Sequence, residues 1–209
     1  MNNLILLRHG QSQWNLENRF TGWEDVPLTS KGIEEAKTAG QILSKNKIDI
    51  DTIFSSILQR ANKTAELAIK EMNLRSLWEG EKLIMRRDHS LNERDYGDLV
   101  GLNKEETAKK FGKDQVHIWR RSYDVPPPGG ESLENVVERV KPFFSEFIQP
   151  EINREKNVLM VAHGNSLRAT MIQVGLYKTE EISKIELPTG KPFVINYESG
   201  KVIDSSFLY

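Results

Sequence analysis

Asn3-Leu4-Ile5-Leu6-Leu7-Arg8-His9-Gly10-Gln11-Ser12 has an echo late in the chain, Asn157-Val158-Leu159-Met160-Val161-Ala162-His163-Gly164-Asn165-Ser166. Each copy is a short, unbroken apolar run that ends in His-Gly, a polar residue and Ser. Runs of this kind predict strands buried on both faces, as in a parallel sheet covered by helices. The glycine after each histidine permits a tight turn or a close backbone approach. In such sheets ligands gather beyond the carboxyl ends of the strands, and both His-Gly turns fall there.

The segments between the two copies support an α/β reading. Thr29 or Ser30 is placed to cap a helix with Ile33, Ala36, Gly40 and Leu43 at helical spacing. Asp51 to Ser55 reads as a strand, followed by a helix carrying Arg60, Ala61, Thr64, Ala65 and Ala68. Asn103-Lys104-Glu105-Glu106 predicts an N-cap with a capping-box glutamate. Ser132 opens a longer helix with Leu133, Val136, Val137, Val140, Phe144 and Phe147 inward, and Pro142 within it predicts a kink or a break. Ser166 to Gly175 reads as one more helix. The expected architecture is α/β: a single domain over residues 1–209, with a mostly parallel sheet and helices on both faces.

Bulk composition narrows the function. With 29 basic and 30 acidic residues the formal net charge is −1, which argues against a nucleic-acid partner. Cysteine is absent, so neither disulfides nor cysteine-held zinc are available. The apolar run near Met1 is too short for a signal-peptide core or a bilayer span, so a soluble, cytoplasmic protein without a membrane partner is expected. His89 and His117 lie outside any metal-ligand spacing, and no metal is expected.

Two histidines facing each other across strand ends suit phosphoryl transfer. An imidazole nitrogen attacks phosphorus well when its other nitrogen is held by an acceptor. The transferring group is strongly anionic and needs cations already in place. Arg8 offers a planar fork for bidentate contact, Arg60 a second, and His163, if protonated, would add a third positive group. Glu93, in Leu91-Asn92-Glu93-Arg94-Asp95-Tyr96-Gly97, is the candidate proton donor to the leaving hydroxyl. Taken singly, Arg120-Arg121 reads as a surface pair, Lys104 as an ordinary first-turn residue, and Glu93 as a partner of Arg94 or Arg86. Trp14, Trp23 and Trp119 read as packing.

Arg8-His9-Gly10 with Ser12 and Asn15 resembles the nucleophile motif of the histidine phosphatase superfamily. Phe20-Thr21-Gly22-Trp23, the Leu91–Gly97 stretch continuing to Gly101-Leu102-Asn103-Lys104, Trp119-Arg120-Arg121 and His163-Gly164-Asn165-Ser166-Leu167-Arg168 narrow the branch. Together they resemble the 2,3-bisphosphoglycerate-dependent phosphoglycerate mutases, in the family's order, from Arg8 to about Pro188-Thr189-Gly190. The resemblance implies an isomerase of glycolysis and gluconeogenesis that interconverts 3- and 2-phosphoglycerate, primed by 2,3-bisphosphoglycerate and without a metal. His9 would be the phosphorylated nucleophile, Glu93 the proton donor and acceptor, and His163 a transition-state stabiliser. Arg8, Ser12, Asn15, Arg60, Gly164 and Asn165 would surround the transferring group. Thr21, Gly22, Tyr96, Lys104, Arg120 and Arg121 would hold the substrate's carboxylate and second phosphate. A homo-oligomer, with a dimer favoured, is the accompanying expectation.

Departures from the family pattern are few. Gln11 stands where Glu is also common. Pro126-Pro127-Pro128-Gly129-Gly130-Glu131-Ser132 is much shorter than in the longer bacterial mutases and is reminiscent of the phosphatase branch. The chain ends at Phe207-Leu208-Tyr209, with no long mobile tail expected. The competing reading is a broad-specificity phosphatase in which water takes the phosphoryl group from His9. Lys104 and the Arg120-Arg121 pair discriminate, because a mutase must hold its substrate while it reorients. A non-enzymatic binding role would be signalled by loss of the nucleophile, but His9, Glu93 and His163 are all present.

Overall fold

The computed structural model describes residues 1–209. The chain runs β1 (Asn2–Arg8), α1 (Gln13–Leu16), α2 (Ser30–Lys45), β2 (Thr52–Ser55), α3 (Gln59–Met72), β3 (Trp78–Glu79), β4 (Lys82–Leu83) and β5 (Arg86–Arg87). It continues with α4 (Lys104–Phe111), α5 (Lys113–Arg121), α6 (Leu133–Phe143), α7 (Gln149–Asn153), β6 (Val158–Ala162), α8 (Gly164–Gln173), α9 (Thr179–Ile182), β7 (Pro192–Glu198) and β8 (Lys201–Phe207). The central sheet has the order β5-β2-β6-β1-β7-β8. Its first four strands are parallel; β7 and β8 add an antiparallel edge.

Alternation within the apolar runs explains why they are unbroken. Leu4, Leu6, Val158 and Met160 pack into one core with α6, α7 and α8. Ile5, Leu7, Leu159 and Val161 pack into a second core with α2 and α3. Both faces of β1 and β6 are therefore covered, and Leu4–Leu7 and Val158–Ala162 are buried throughout. Parallel pairing from Leu4–Val158 to Arg8–Ala162 brings the two His-Gly turns side by side.

Local expectations hold with four corrections. Thr29 caps α2 through Gly32 N, but Ile33 is only half-buried, while Gly32 and Ala39 join the packed face. Asn103 caps α4 through Glu105 N and Glu106 N without a reciprocal bond from Glu106. Pro142 neither ends nor breaks its helix: α6 runs past it, wide π-type turns occupy Phe144–Ile148, and α7 follows. Proline lacks the N–H that would reach the carbonyl of Glu138, and the wide turns are where the altered pattern is absorbed. Val140, Phe143, Phe144 and Ile148 stay buried through it, with Val137 and Phe147 at the margin. Finally, α8 begins at Gly164, directly after His163, rather than at Ser166. No helix is long and apolar enough to cross a membrane.

Candidate active site

The turn after β1 is fixed by close packing. A Cβ at Gly10 would lie 2.1 Å from the carbonyl oxygen of Gly32, so only glycine lets α2 approach this turn. Gly164 differs: a Cβ there meets ordinary contacts, the nearest Arg168 at 3.4 Å. Gly10 N donates to the hydroxyl of Thr64 at 3.0 Å, which ties the turn to α3. His9 N donates to Ala162 O at 3.0 Å, which locks the two turns together.

His9 and His163 are buried, with ring centroids 5.0 Å apart. His9 Nδ1 lies 2.7 Å from Gly10 O. A carbonyl can only accept, so Nδ1 carries the proton and Nε2 keeps its lone pair. Burial, then the charges of Arg60 and Arg8, hold the His9 pKa well below its usual range. Burial, followed by Arg60, His9, Arg8 and Arg139, does the same to His163. Low dielectric and neighbouring cations thus favour the neutral form of His163, so the condition on which it would add a positive group is not met.

Arg60 is almost wholly buried, and burial lowers its pKa to about 10. Its Nη1 donates to Glu24 O at 2.8 Å and its Nη2 to Gly22 O at 2.9 Å, so it also clamps the Thr21–Glu24 loop. Gly22 accepts this geometry with φ +55°. Arg8 Nη1 donates to Leu187 O at 2.8 Å.

Glu93 Oε1 accepts from Arg94 N at 2.8 Å, Asn165 N at 3.1 Å and Asn165 Nδ2 at 2.9 Å. Burial alone would raise its pKa. The Arg94 amide, Arg8, Asn165 and Arg60 outweigh that and hold the carboxyl below its ordinary range. No ion pair joins it to Arg94 or Arg86.

One cavity gathers Arg8, His9, Asn15, Thr21, Gly22, Arg60, Glu93, Tyr96 and Lys104, together with Arg19 and Phe20, which sequence reasoning did not single out as site residues. Burial and the neighbouring Arg120 and Arg8 lower the Lys104 pKa, against the opposing influence of Tyr96. Ser12 stays out of this cavity and caps α1 in a reciprocal pair with Asn15. A second hollow is lined by Arg94, Arg120, Arg121, Asn165 and Arg168. Arg120 is exposed there. Arg121 pairs with Glu186 at 2.6 Å. Gly164 lies beside Glu93 rather than within either lining.

Sequence alone gives Arg94 no role beyond pairing with Glu93. It is nearly inaccessible and donates through Nη2 to Arg120 O at 2.9 Å and Tyr96 Oη at 3.2 Å. Its adjacency to Glu93 was the one available signal. Trp23, expected to pack, is 42% exposed and donates to Glu93 O at 2.6 Å. The buried side-chain donors without a partner are Arg8 Nε, Arg60 Nε, Arg94 Nε and Nη1, and one ring nitrogen, His163 Nδ1, joins them. All belong to this region, a donor set suited to an anionic ligand with more than one charged group. No three His, Cys, Asp or Glu side chains cluster as a metal site would need.

Comparison with known proteins identifies the family. The family model of the histidine phosphatase superfamily (branch 1) matches residues 4–204. A Methylobacterium protein named 2,3-bisphosphoglycerate-dependent phosphoglycerate mutase is 50% identical over 97% of this chain and 94% of its own length. A Mesorhizobium japonicum protein of the same name is 48% identical over 97% and 95%. Among solved structures, a mycobacterial glucosyl-3-phosphoglycerate phosphatase in complex with VO3 superposes with TM-score 0.78 at 27% identity, over 94% of this chain and 93% of that one. The chain belongs to the histidine phosphatase superfamily and, within it, to the family of the 2,3-bisphosphoglycerate-dependent phosphoglycerate mutases.

Proposed function

We propose that the chain interconverts 3-phosphoglycerate and 2-phosphoglycerate by carrying the phosphoryl group on His9 Nε2. The observation that carries this reading is the Nδ1–Gly10 O bond, which leaves Nε2 as the lone-pair nitrogen of a buried imidazole between Arg8 and Arg60. 2,3-Bisphosphoglycerate supplies the phosphoryl group that first loads His9, and the unpartnered arginine donors fit such a polyanion.

In loading, Nε2 forms a P–N bond as the ester P–O bond breaks, and Glu93 gives its proton to the departing oxygen. Glu93 is a carboxylate before substrate binds. Anionic groups bound beside it raise its proton affinity, and it takes from solvent the proton that it then gives to the leaving oxygen. In the return step the other hydroxyl of the phosphoglycerate attacks phosphorus, Glu93 takes that hydroxyl's proton, and Nε2 recovers its lone pair. Arg8, Arg60 and His163 stabilise the charge on the transferring oxygens, with no metal called upon. Asn15 faces the same cavity; Ser12 and Gly164 shape its backbone. Thr21, Gly22, Tyr96 and Lys104 take one distal anionic group. Arg120 and Arg121, with Asn165 between the two spaces, take the other. Two cationic hollows on either side of Glu93-Arg94 suit a substrate with separated anionic groups. Cytoplasmic residence and a homo-oligomeric, dimeric state belong to the same proposal, as expectations that go with the mutase reading.

The test is labelling. Incubation with radiolabelled 2,3-bisphosphoglycerate gives an acid-labile, base-stable phosphoprotein in the parent and none in His9→Ala. Equal labelling of the two rejects the nucleophile, and a labelled parent that never isomerises 3-phosphoglycerate rejects the mutase.

A further inference from the structure

The shortened Pro126–Ser132 segment is docked, backbone against backbone, on the turn that carries Glu93. Asp98 N donates to Pro128 O and Glu131 N to Asp95 O, each at 2.9 Å. A Cβ on Gly97 would fall 2.3 Å from Gly129 C, and one on Gly130 2.7 Å from Asp95 O. Glycine at both positions is what permits this contact.

That docking delivers the carboxylate of Glu131. Its Oε2 accepts from Asp95 N at 2.8 Å and from Arg139 Nη2 at 3.0 Å, and its Oε1 accepts from Arg139 Nε at 2.8 Å. The pair is a fork-to-fork contact, with side chains only 16% and 21% exposed. The remaining donors of Arg139 converge on the backbone around Glu93: Nη1 on Ser90 O at 2.6 Å, Nη2 on Asn92 O at 3.1 Å and Glu93 O at 2.9 Å. Trp23 Nε1 adds another donor to Glu93 O at 2.6 Å. Neither Glu131 nor Arg139 touches the Glu93 carboxylate, which Asn165 holds from the opposite end.

We propose that Glu131 and Arg139 form a positioning pair that aims Glu93 at the oxygen whose proton it moves. The inference rests on reading Glu93 as the proton carrier. Arg139 fixes the main chain, Asn165 fixes the carboxylate, and the side chain between them has little freedom left. Glu131 keeps the Arg139 fork oriented and anchors Asp95 on the far side of the same turn. Proton transfer is sensitive to such aim, since a displacement of about 1 Å costs on the order of a hundredfold in rate.

The experiment compares two phosphoryl donors in single-turnover phosphorylation of His9. With 2,3-bisphosphoglycerate the P–N bond forms, the ester P–O bond breaks, and the alkyl oxygen leaves with the proton of Glu93. With 4-nitrophenyl phosphate the same bonds form and break, but the phenolate oxygen leaves without a proton. Glu131→Gln and Arg139→Lys are expected to slow the first reaction roughly 10- to 100-fold and the second less than about threefold. Trp23→Phe, at an exposed position that leaves the ion pair intact, is expected to show a milder form of the same selectivity. Equal loss with both donors, or no loss with either, overturns the positioning role. Glu93→Gln is the control. If it treats both donors alike, the assignment of Glu93 falls; if it is selective while Glu131→Gln is not, only the positioning pair falls.

Discussion

The hydroxyl of Ser56 lies 2.7 Å from His163 Nε2 and accepts a hydrogen bond from Leu58 N at 3.2 Å. Ser56 has one proton and two lone pairs, so it donates to Nε2 in one tautomer of neutral His163 and accepts from it in the other. Where Ser56 donates, the His163 proton sits on Nδ1, the ring nitrogen that is buried without a partner. His163 thereby offers a donor while remaining neutral, a stabilising role that needs no imidazolium.

Ser56→Ala should therefore slow phosphorylation of His9 about tenfold, the rate equivalent of one hydrogen bond worth about 1.4 kcal/mol. KM should change little, and Ser56→Thr should restore most of the rate. Nitrogen chemical shifts of His163 report the tautomer directly; protonated Nε2 in the parent would refute the assignment.

Acid sensitivity follows from the same two imidazoles. Their folded-state pKa values lie well below the ordinary 6.5, so below that pH the unfolded chain binds protons that the folded chain refuses. Stability thus rises with pH in the window beneath 6.5, by up to about 1.4 kcal/mol per histidine per pH unit. Glu93 acts lower: its depressed pKa contributes stability that is present above 4.5 and lost as pH falls through the folded value. Thermal unfolding at pH 7 and pH 5.5 isolates the histidines, and His163→Gln should flatten the difference. An unchanged slope would mean that His163 is charged in the folded protein.

What the sequence made legible is what lies in short continuous stretches. The paired His-Gly runs announced adjacent strands because both faces of each strand are covered, which leaves no polar positions to blur the pattern. Arg8, His9, Arg60 and Glu93 were readable because their chemistry travels with local motifs. Arg139 was not, although it reaches the main chain of Glu93, because the two stand far apart in sequence and Arg139 follows α6 periodicity like any exposed residue. Arg94 was undervalued for a related reason: burial of a charged side chain is decided by tertiary packing. Pro142 was legible in part: the local signal marks where the α-helical pattern gives way to wide turns, while the burial of Val140, Phe143 and Phe144 carries the helix on.

Metal independence is testable without reference to any structure. Arg8, Arg60 and His163 gather around His9 where other phosphoryl-transfer enzymes place magnesium. Isomerisation should survive exhaustive chelation at full rate. Vanadate, which adopts the five-coordinate geometry of the transferring phosphorus, should inhibit in competition with substrate. Activity abolished by chelator and restored by magnesium or manganese would refute metal-free stabilisation by these three side chains.

The balance between isomerisation and hydrolysis should be set in the arginine hollow. Arg120 and Arg121 line it beside Arg94, and Arg121 is held by Glu186, a carboxylate that is 67% exposed. An anionic group that reaches Arg121 Nη2 competes with Glu186 for that nitrogen. Losing one charge-assisted contact costs on the order of 1.5–3 kcal/mol, or roughly one to two powers of ten in binding. Arg120→Ala and Arg121→Ala should reduce isomerisation by about that factor and barely change phosphorylation of His9 by 4-nitrophenyl phosphate. Water needs no such anchoring, so released phosphate relative to 2-phosphoglycerate should rise in both variants. Glu186→Gln should act in the opposite direction, lowering KM by a few-fold, since an exposed pair is worth only about 0.2–1 kcal/mol. The measurement is that product ratio for parent and variants under identical conditions. A ratio that stays constant across all three would return Arg120 and Arg121 to an ordinary surface role.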